Sequence, residues 1–258
     1  MANKYDYIVI GGGSGGIASA RKAASFVSKV LLIEGKHIGG TCVNVGCVPK
    51  KIMWNTAELA EAIHYAHDYG FNVEYKKFDL KKLKDERDAF IEKLHGIYEK
   101  NLKSSGVERI NGFAEFVNEK EIEVNGERYT ADHILIATGG YPAIPDLPGA
   151  EFGITSDGFF ELEKIRLLKE FDKDIQDFLF DELINSGIKI ISNTDISLIE
   201  KNDNGLLTVK SKDGKSFPGY DALIWAVGRN PNVKNLKLEK ANIKLNEKGY
   251  ILVDDFEN

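Results

Sequence analysis

The sequence predicts an α/β fold in which a parallel β-sheet is covered on both faces. Three observations predict it: an apolar run at residues 7–10, a glycine-rich turn that leads into a helix-like segment at 17–24, and a second apolar run at 30–33. This strand–helix–strand order is that of a βαβ unit, which places two strands side by side and parallel. The 258 residues are enough for one large or two ordinary domains.

The turn after the first predicted strand carries glycines at the first, third and sixth positions of the pattern G-x-G-x-x-G. These are Gly11, Gly13 and Gly16, and Ser14 and Gly15 lie between the last two. Without side chains, the backbone can turn tightly and its amides can approach a pyrophosphate at the helix N-terminus. The turn therefore predicts a dinucleotide site.

An acidic residue ends the second predicted strand. Glu34 follows Gly16 by 18 positions, where a carboxylate can accept a hydrogen bond from a ribose 2′-hydroxyl. The same charge would repel a 2′-phosphate, so we expect this site to hold an adenosine diphosphate without one. The pattern by itself fits NAD and FAD equally.

The only two cysteines, Cys42 and Cys47, lie in the segment 39–51, just ahead of a predicted helix at 52–69. This arrangement favours a redox-active disulfide, because a bridge over so short a loop would stabilise the fold little. A helix N-terminus and the adjacent Lys50 and Lys51 would stabilise a thiolate. A structural disulfide and two free core thiols remain as alternatives. A zinc site lacks two further ligands at the usual spacing.

A dithiol beside a dinucleotide site also bears on the choice of cofactor. Reduction of a disulfide needs a carrier that passes two electrons to sulfur, which a flavin does and nicotinamide alone does poorly. We therefore expect FAD in this first site.

The glycine turn, Glu34 and the cysteine segment closely resemble the FAD-dependent pyridine-nucleotide disulfide oxidoreductases, and within them the members that reduce glutathione disulfide. The resemblance covers most of the chain, including residues 137–140 and 225–232. It implies a Rossmann-like, three-layer FAD/NAD(P)-binding fold with a second nucleotide-binding domain inserted, and a homodimer for full-length members. It also implies that electrons pass from NADPH to FAD, then to the cysteines and to glutathione disulfide, which maintains reduced glutathione and cell redox homeostasis.

The same resemblance implies roles for single residues. Cys42 would attack glutathione disulfide as the interchange thiol, Cys47 would form a charge-transfer pair with the flavin, and Lys50 would lie beside a flavin ring nitrogen. The substrate contacts would be Arg21, Tyr98 and Arg229, which could otherwise be a solvated helix arginine, a core-edge aromatic and a loop cation. The expected cofactor-binding residues are Gly11, Gly13, Ser14, Gly15, Gly16, Glu34, Gly40, Thr41, Lys50, Thr138 and Gly139.

Two positions favour glutathione over other disulfides. Lipoamide dehydrogenases usually carry Ile-Pro-Ser-Lys where this chain has Val-Pro-Lys-Lys at 48–51. Relatives that take the cationic trypanothione lack an arginine at the position of Arg21. A related reductase acting on another disulfide remains the alternative.

The rest of the first part reads as helices and short strands. A helix at 79–103 carries an apolar face, and Ser-Ser-Gly at 104–106 ends it. Asn125 and Gly126 predict a hairpin, residues 133–137 a buried strand, and three prolines between 142 and 148 a linker. The apolar face of the helix consists of Leu80, Leu83, Phe90, Ile91, Leu94, Ile97, Tyr98 and Leu102.

Beyond the linker the chain departs from the family pattern. Residues 159–165 run straight into 166–172, with no second G-x-G-x-x-G turn, so a βαβ unit of about thirty residues or more is missing. Arg166 and Lys169 resemble remnants of contacts to a 2′-phosphate. What remains is a helix at 175–183 and strands at 188–191, 206–210 and 223–227.

We therefore expect an FAD-binding domain with the redox disulfide at 1–149, an incomplete NADPH-binding domain at 150–232, and the start of a return to the FAD domain at 233–258, with the dimerisation domain absent. The alternative function is a non-catalytic flavin-binding fragment.

Composition limits the partners and the compartment. A net charge of −6 and a pI near 5.5 argue against nucleic acid, and the apolar runs are too short to span a membrane. His64 and His67 lie one helical turn apart without a third ligand, so no metal site is expected. The first residues leave no room for a leader, and cysteines used as a catalytic pair favour the cytoplasm. A mitochondrial form from an alternative start stays open.

Overall fold

A computed structural model describes residues 3–26, 28–74, 77–161, 188–189, 191 and 193–255. The chain divides into two compact units, Met1–Pro142 with Gly228–Asn258, and Ala143–Val227. Both sequence motifs, the glycine turn and the cysteine segment, lie in the first unit. The assignment of 1–149, 150–232 and 233–258 to FAD binding, NADPH binding and return stays a prediction.

The first unit is built on a six-stranded sheet in the order β3-β2-β1-β6-β5-β4. The strands are β1 Asn3–Ile10, β2 Val30–Glu34, β3 Val107–Asn111, β4 Ala114–Asn118, β5 Glu121–Val124 and β6 Glu127–Ile136. The four strands β3, β2, β1 and β6 are parallel, and β5 and β4 add an antiparallel edge. This arrangement confirms the predicted α/β class with a parallel-rich sheet.

Four helices lie between β1 and β3 in the chain: α1 Ser14–Ala24, α2 Gly40–Val45, α3 Cys47–Tyr65 and α4 Leu80–Ser104. Of these, α1 and α4 pack on the sheet. Helix α3 begins at Cys47, five residues before the predicted start, and continues in a 3-10 turn at Ala66–Tyr69. The earlier start is compatible with Pro49, because a proline in the first turn of a helix removes no intrahelical hydrogen bond. Cys47 is therefore the first residue of a helix rather than a loop residue ahead of it.

Side chains that alternate along the strands form a core on each face of the sheet. Val30 and Leu32 face a cluster with Ile17, Ala20 and Leu102 from α1 and α4. On the other face, Leu31 and Ile33 form a cluster with Phe116 and Ile122 of the antiparallel strands, and the C-terminal segment covers it through Leu236, Leu238 and Ala241. The fold is three-layered. Among the described residues, the only helical element in the layer on this second face is a short 3-10 helix, Leu238–Ala241.

Two side chains of α4 contradict the predicted apolar face. Ile91 and Leu102 are buried, but Phe90 and Ile97 are 45% and 43% exposed. These two residues are seven positions apart, so they lie on the same side of the helix, turned away from the sheet. The predicted strand at 133–137 corresponds to the end of β6, but it is not buried as predicted: His133 is exposed and residues 134–137 are only partly buried.

The second unit contains α5 Ser156–Phe159 and the strands β8 Ile154–Thr155, β9 Ile196–Lys201, β10 Leu207–Ser211, β11 Ser216–Tyr220 and β12 Ile224–Trp225. Strands β11, β10 and β9 form an antiparallel meander, and β12 pairs with β8 in parallel. A core of Ala150, Ile199, Leu207 and Trp225 holds the unit, and the indole of Trp225 donates to the Ala150 carbonyl at 2.9 Å.

Some predictions fall on residues outside this description. The helix at 175–183, Arg166 and Lys169 lie outside the described residues, as does part of the strand predicted at 188–191. The strands predicted at 206–210 and 223–227 correspond to β10 and β12. In the first unit, β7 Gly140–Pro142 pairs antiparallel with β13 Arg229–Pro231.

Candidate active site

Two glycines of the turn after β1 are required by the protein's own packing. A Cβ atom built on Gly16 would lie 1.9 Å from the Gly11 carbonyl oxygen. A Cβ atom on Gly11, whose φ is +116°, would lie 2.3 Å from the Ala137 carbonyl oxygen. Neither position has room for a side chain, because in both cases the obstacle is backbone that cannot swing aside. These close approaches hold the start of α1 against β1 and the end of β6.

Gly13 differs from them. Its φ of −81° and ψ of −172° suit any residue, and a Cβ atom there would meet only the Gly40 Cα, at 3.8 Å. Packing within the chain therefore gives no reason for a glycine here. What the missing side chain leaves is open space beside the first turn of α1, where Ser14 and Gly15 are exposed. The free amides of a helix N-terminus favour an anion such as a pyrophosphate in such a space.

Glu34 has a second task that its position in the sequence does not reveal. Its Oε2 accepts from the backbone amide of Gly12 at 2.6 Å, and its Oε1 accepts from the amide of Lys36 at 2.7 Å. An ionised carboxylate offers about four acceptor positions, so both bonds leave room for a ribose hydroxyl. Glu34 thus helps to fix the shape of the turn, and its ribose contact stays a prediction.

Replacing Glu34 with glutamine tests this structural task. We expect Glu34→Gln to lower the free energy of unfolding by about 1–3 kcal/mol, because the amide oxygen can satisfy only one of the two backbone donors and the amide nitrogen then faces the other. Urea unfolding of the chain without added nucleotide measures the effect. Glu86→Gln, a change to an α4 carboxylate, serves as the control and should change the unfolding free energy by less than about 0.5 kcal/mol.

A cleft of about 110 Å³ lies beside Glu34, at the carboxyl ends of the parallel strands. This is the edge at which nucleotides bind in open α/β sheets. Thr138, predicted as a cofactor contact, lines the cleft, and the carbonyl of Gly139 accepts from the Asn232 amide at 2.9 Å. The other lining residues include Ile10, Gly11, Gly35, Phe113, Asn235 and Leu236. The open space at Gly13, the acceptor at Glu34 and this cleft together fit an adenosine diphosphate moiety.

The cysteine segment packs directly on the glycine turn. The amide of Gly39 donates to the Gly12 carbonyl at 2.8 Å. Gly40 has a φ of +58°, and a Cβ atom on it would lie 2.7 Å from the Gly13 Cα. Since both backbones approach this closely, the two motifs that the sequence keeps apart form one continuous site. Thr41, predicted as a cofactor contact, is in the first turn of α2 and is exposed.

The two thiols lie at the junction of α2 and α3. Cys42 is half-buried in α2, Cys47 is exposed at the start of α3, and both are free thiols. A hydrogen bond with Cys47, followed by burial, raises the pKa of the Cys42 thiol, and the nearby Lys50 ammonium only partly offsets this. The predicted effect of the adjacent lysine is present at Cys42, but in the dithiol form the hydrogen bond with Cys47 and burial outweigh it. Cys42 keeps its proton to a higher pH than an ordinary thiol, because it shares that proton with Cys47.

The predicted substrate residues lie on different elements. The Nε of Arg21 on α1 donates to the Ser105 hydroxyl at the end of α4, at 2.9 Å, and its guanidinium is exposed. Tyr98 on α4 is partly buried against the cluster beneath α1 and α4. Arg229 is on β13 and donates to the Gly140 carbonyl of β7. The structure thus places Arg21 and Tyr98 on the neighbouring helices α1 and α4, whereas the contacts of Arg229 are with β7.

Within the described residues, no helix is long and apolar enough to cross a membrane. That same part of the chain holds no group of three or more histidine, cysteine or acidic side chains arranged to bind a metal ion.

Comparisons with known proteins agree with this site. The chain matches the family "Pyridine nucleotide-disulphide oxidoreductase" over residues 5–166 and 160–258. It is 44% identical to a "Glutathione reductase" of Yarrowia lipolytica over 303 aligned residues, which covers 98% of this chain and 64% of that relative. The aligned length exceeds the 258 residues of the chain, so the relative has residues there that this chain lacks. The two family matches meet at 160–166, where the sequence departs from the family pattern.

Proposed function

Since this chain belongs to the pyridine nucleotide-disulphide oxidoreductase family, we propose that it carries the FAD-binding and dithiol part of a glutathione-disulfide reductase. The observation that supports this most is the contact of Gly40 with Gly13, which joins the dinucleotide turn to the cysteine segment. Glutathione disulfide as the substrate is supported by the relative from Yarrowia lipolytica and by Arg21. The chain spans about two thirds of that relative's length, so the activity of the whole protein is part of the proposal.

The residues described above would hold FAD as follows. The amides at the start of α1 would bind the pyrophosphate in the open space at Gly13, Glu34 would accept a hydrogen bond from the ribose, and Thr41 and Thr138 would line the site. When bound, FAD supplies a two-electron carrier able to reduce a disulfide. Lys50 lies beside the dithiol, and its field partly offsets the raised pKa of Cys42.

The cysteines then reduce the substrate by thiol–disulfide exchange. Cys42 loses its proton to solvent and attacks one sulfur of glutathione disulfide, whose S–S bond breaks. One glutathione leaves as a thiolate and takes up a proton, and Cys42 is left in a mixed disulfide. Cys47 then loses its proton to solvent and attacks the Cys42 sulfur, the second glutathione leaves and is protonated, and a Cys42–Cys47 disulfide remains. Two electrons and two protons have moved from the dithiol to the substrate.

A stoichiometric assay tests this function without the need for turnover. The chain is reduced with dithiothreitol, freed of the reductant and mixed with glutathione disulfide. We expect two glutathione molecules for each chain, together with a Cys42–Cys47 disulfide. Release of no glutathione would contradict the proposal.

Substrate choice is tested by reversing one charge. Arg21→Glu is expected to slow the reaction with glutathione disulfide about tenfold, because the carboxylates of the substrate would meet a like charge. The reaction with the uncharged hydroxyethyl disulfide should change less than twofold. Lys240→Glu makes the same charge change on the 3-10 helix beside β4, at the sheet edge farthest from the strands that α1 contacts, and serves as the control. Equal losses with both disulfides would show that Arg21 does not select the substrate.

NADPH-dependent turnover is expected to be absent or very low. No second G-x-G-x-x-G turn occurs between residues 150 and 232, so the usual cradle for the pyrophosphate of NADPH is missing. Steady-state NADPH oxidation with glutathione disulfide measures this, with the Yarrowia lipolytica relative as the positive control. A rate comparable with that enzyme would contradict the prediction. Low turnover with intact FAD binding would favour the alternative of a non-catalytic flavin-binding fragment.

The compartment belongs to the proposal as well. Two free thiols used for exchange suit a reducing compartment such as the cytoplasm, where disulfides do not persist. Fractionation of the native cells, followed by detection of the chain, tests this placement.

A further inference from the structure

A histidine on α4 is bound to the middle of the cysteine segment. The Nε2 of His95 lies 2.6 Å from the Oδ1 of Asn44, which is on α2 between Cys42 and Cys47. The His95 side chain is only 14% exposed, so this contact is largely shielded from water. No role was predicted for either residue from the sequence, because they are 51 positions apart.

The hydrogen bonds of Asn44 fix which way its amide points. Its Nδ2 donates to the Gly40 carbonyl at 2.9 Å and to the Ile38 carbonyl at 3.2 Å. Its Oδ1 therefore faces His95, and an amide oxygen can only accept. The Nε2 of His95 must carry the proton in this contact.

The second ring nitrogen of His95 also has a hydrogen-bond partner. The Nδ1 of His95 lies 3.0 Å from the Oε2 of Glu92, one turn earlier on α4. A carboxylate also only accepts, so both ring nitrogens are satisfied as donors when the imidazole is protonated. From the loop before α2, His37 stacks on the ring, with centroids 5.6 Å apart and planes at 6°. The groups that face His95 are thus Glu92 on its own helix, Asn44 on α2 and His37.

We propose that His95 is a positioning residue for the Cys42–Cys47 dithiol and acts through Asn44. Helix α2 has six residues, too few to be stable without tertiary contacts. Asn44 ties this helix to the carbonyl of Ile38 in the loop before it, and His95 ties Asn44 to the long helix α4. This role rests on the proposed function of the dithiol, but the reactivity of the thiols can be measured without FAD, NADPH or glutathione.

Loss of the hydrogen bond between His95 and Asn44 should change the reactivity of the Cys42 thiol. If α2 loosens, the hydrogen bond between the two thiols weakens, and with it the main cause that keeps Cys42 protonated. In His95→Ala we expect the rate of alkylation of Cys42 by iodoacetamide at pH 7 to rise about threefold or more, because only the thiolate reacts. Fragment mass spectrometry separates Cys42 from Cys47 within their shared tryptic peptide.

A conservative variant separates positioning from general damage. In His95→Gln the amide nitrogen can still donate to Asn44, so the Cys42 rate should stay within about 1.5-fold of the unmodified chain. His64→Ala, which removes an exposed histidine of α3, should leave it unchanged. A rate in His95→Ala equal to that of the unmodified chain, or an equal rise in His95→Gln, would overturn the proposal.

A second variant covers the case in which His95→Ala does not fold. Asn44→Ala removes the contact with His95 and also the hydrogen bonds to Ile38 and Gly40, so it should raise the Cys42 rate at least as much; an unchanged rate would overturn the proposal. The double variant should react no faster than Asn44→Ala, because the contact with His95 is already lost in that variant. Failure of glutathione release would count against the proposed function alone, since these alkylation rates do not depend on it.

Discussion

Gly16→Ala is expected to lower the free energy of unfolding by about 3 kcal/mol or more, a loss at the upper end for a single overpacking substitution. The Cβ atom would stand 1.9 Å from the Gly11 carbonyl oxygen, and no side chain can move to make room. Either α1 shifts away from β1 or the turn opens. Urea unfolding of the chain without added FAD measures the loss.

Gly13→Ala is the matched variant, and its effect should be of another kind. Its Cβ atom meets only the Gly40 Cα at an ordinary 3.8 Å, so the unfolding free energy should fall by less than about 1 kcal/mol, the scale of a change at a helix N-cap. The added methyl group fills the space in which the pyrophosphate would lie. The affinity for FAD, measured by flavin fluorescence, should fall at least about tenfold. Unchanged affinity in Gly13→Ala would show that the pyrophosphate lies elsewhere.

Cys47→Ala is expected to stop the reaction with glutathione disulfide halfway. Cys42 can still attack and release one glutathione, but no second thiol is present to displace the other. The chain should then accumulate as a mixed disulfide with glutathione, visible as an adduct in intact mass spectrometry, with one glutathione released for each chain. Cys42→Ala is the control; under the assigned roles it should form much less adduct in the same time. The opposite pattern would exchange the roles of the two cysteines.

The same variant should change the pH dependence of Cys42. Because the hydrogen bond with Cys47 is the largest cause that raises its pKa, its removal should move the alkylation profile of Cys42 to lower pH. Burial still raises the pKa and Lys50 still lowers it, so the direction follows from the lost partner. A profile that stays in place in Cys47→Ala would show that burial alone holds the proton on Cys42.

The local parts of this structure could be predicted from the sequence. The glycine turn, Glu34 and the cysteine segment are short patterns whose chemistry follows from their spacing. The hairpin at Asn125 and Gly126 is of the same kind, since both residues adopt the positive φ angles, 53° and 82°, that this turn requires.

Contacts between distant segments could not be predicted. The contact between His95 and Asn44 and the packing of Gly40 on Gly13 depend on where α4 and the cysteine segment come to lie. The exposure of Phe90 also depends on which side of α4 meets the sheet, and an apolar period alone does not decide this. In the same way, the sequence pattern predicted covering layers but not that residues 236–251 would supply one of them.

The central claim is that the dinucleotide turn and the dithiol form one flavin site. The visible absorption spectrum of the purified chain, reconstituted with FAD and recorded before and after dithiothreitol, tests it most directly. We expect flavin bands that gain a long-wavelength charge-transfer shoulder on reduction, and loss of that shoulder in Cys47→Ala. A colourless chain, or flavin bands without the shoulder, would contradict a site in which Cys47 lies against the flavin.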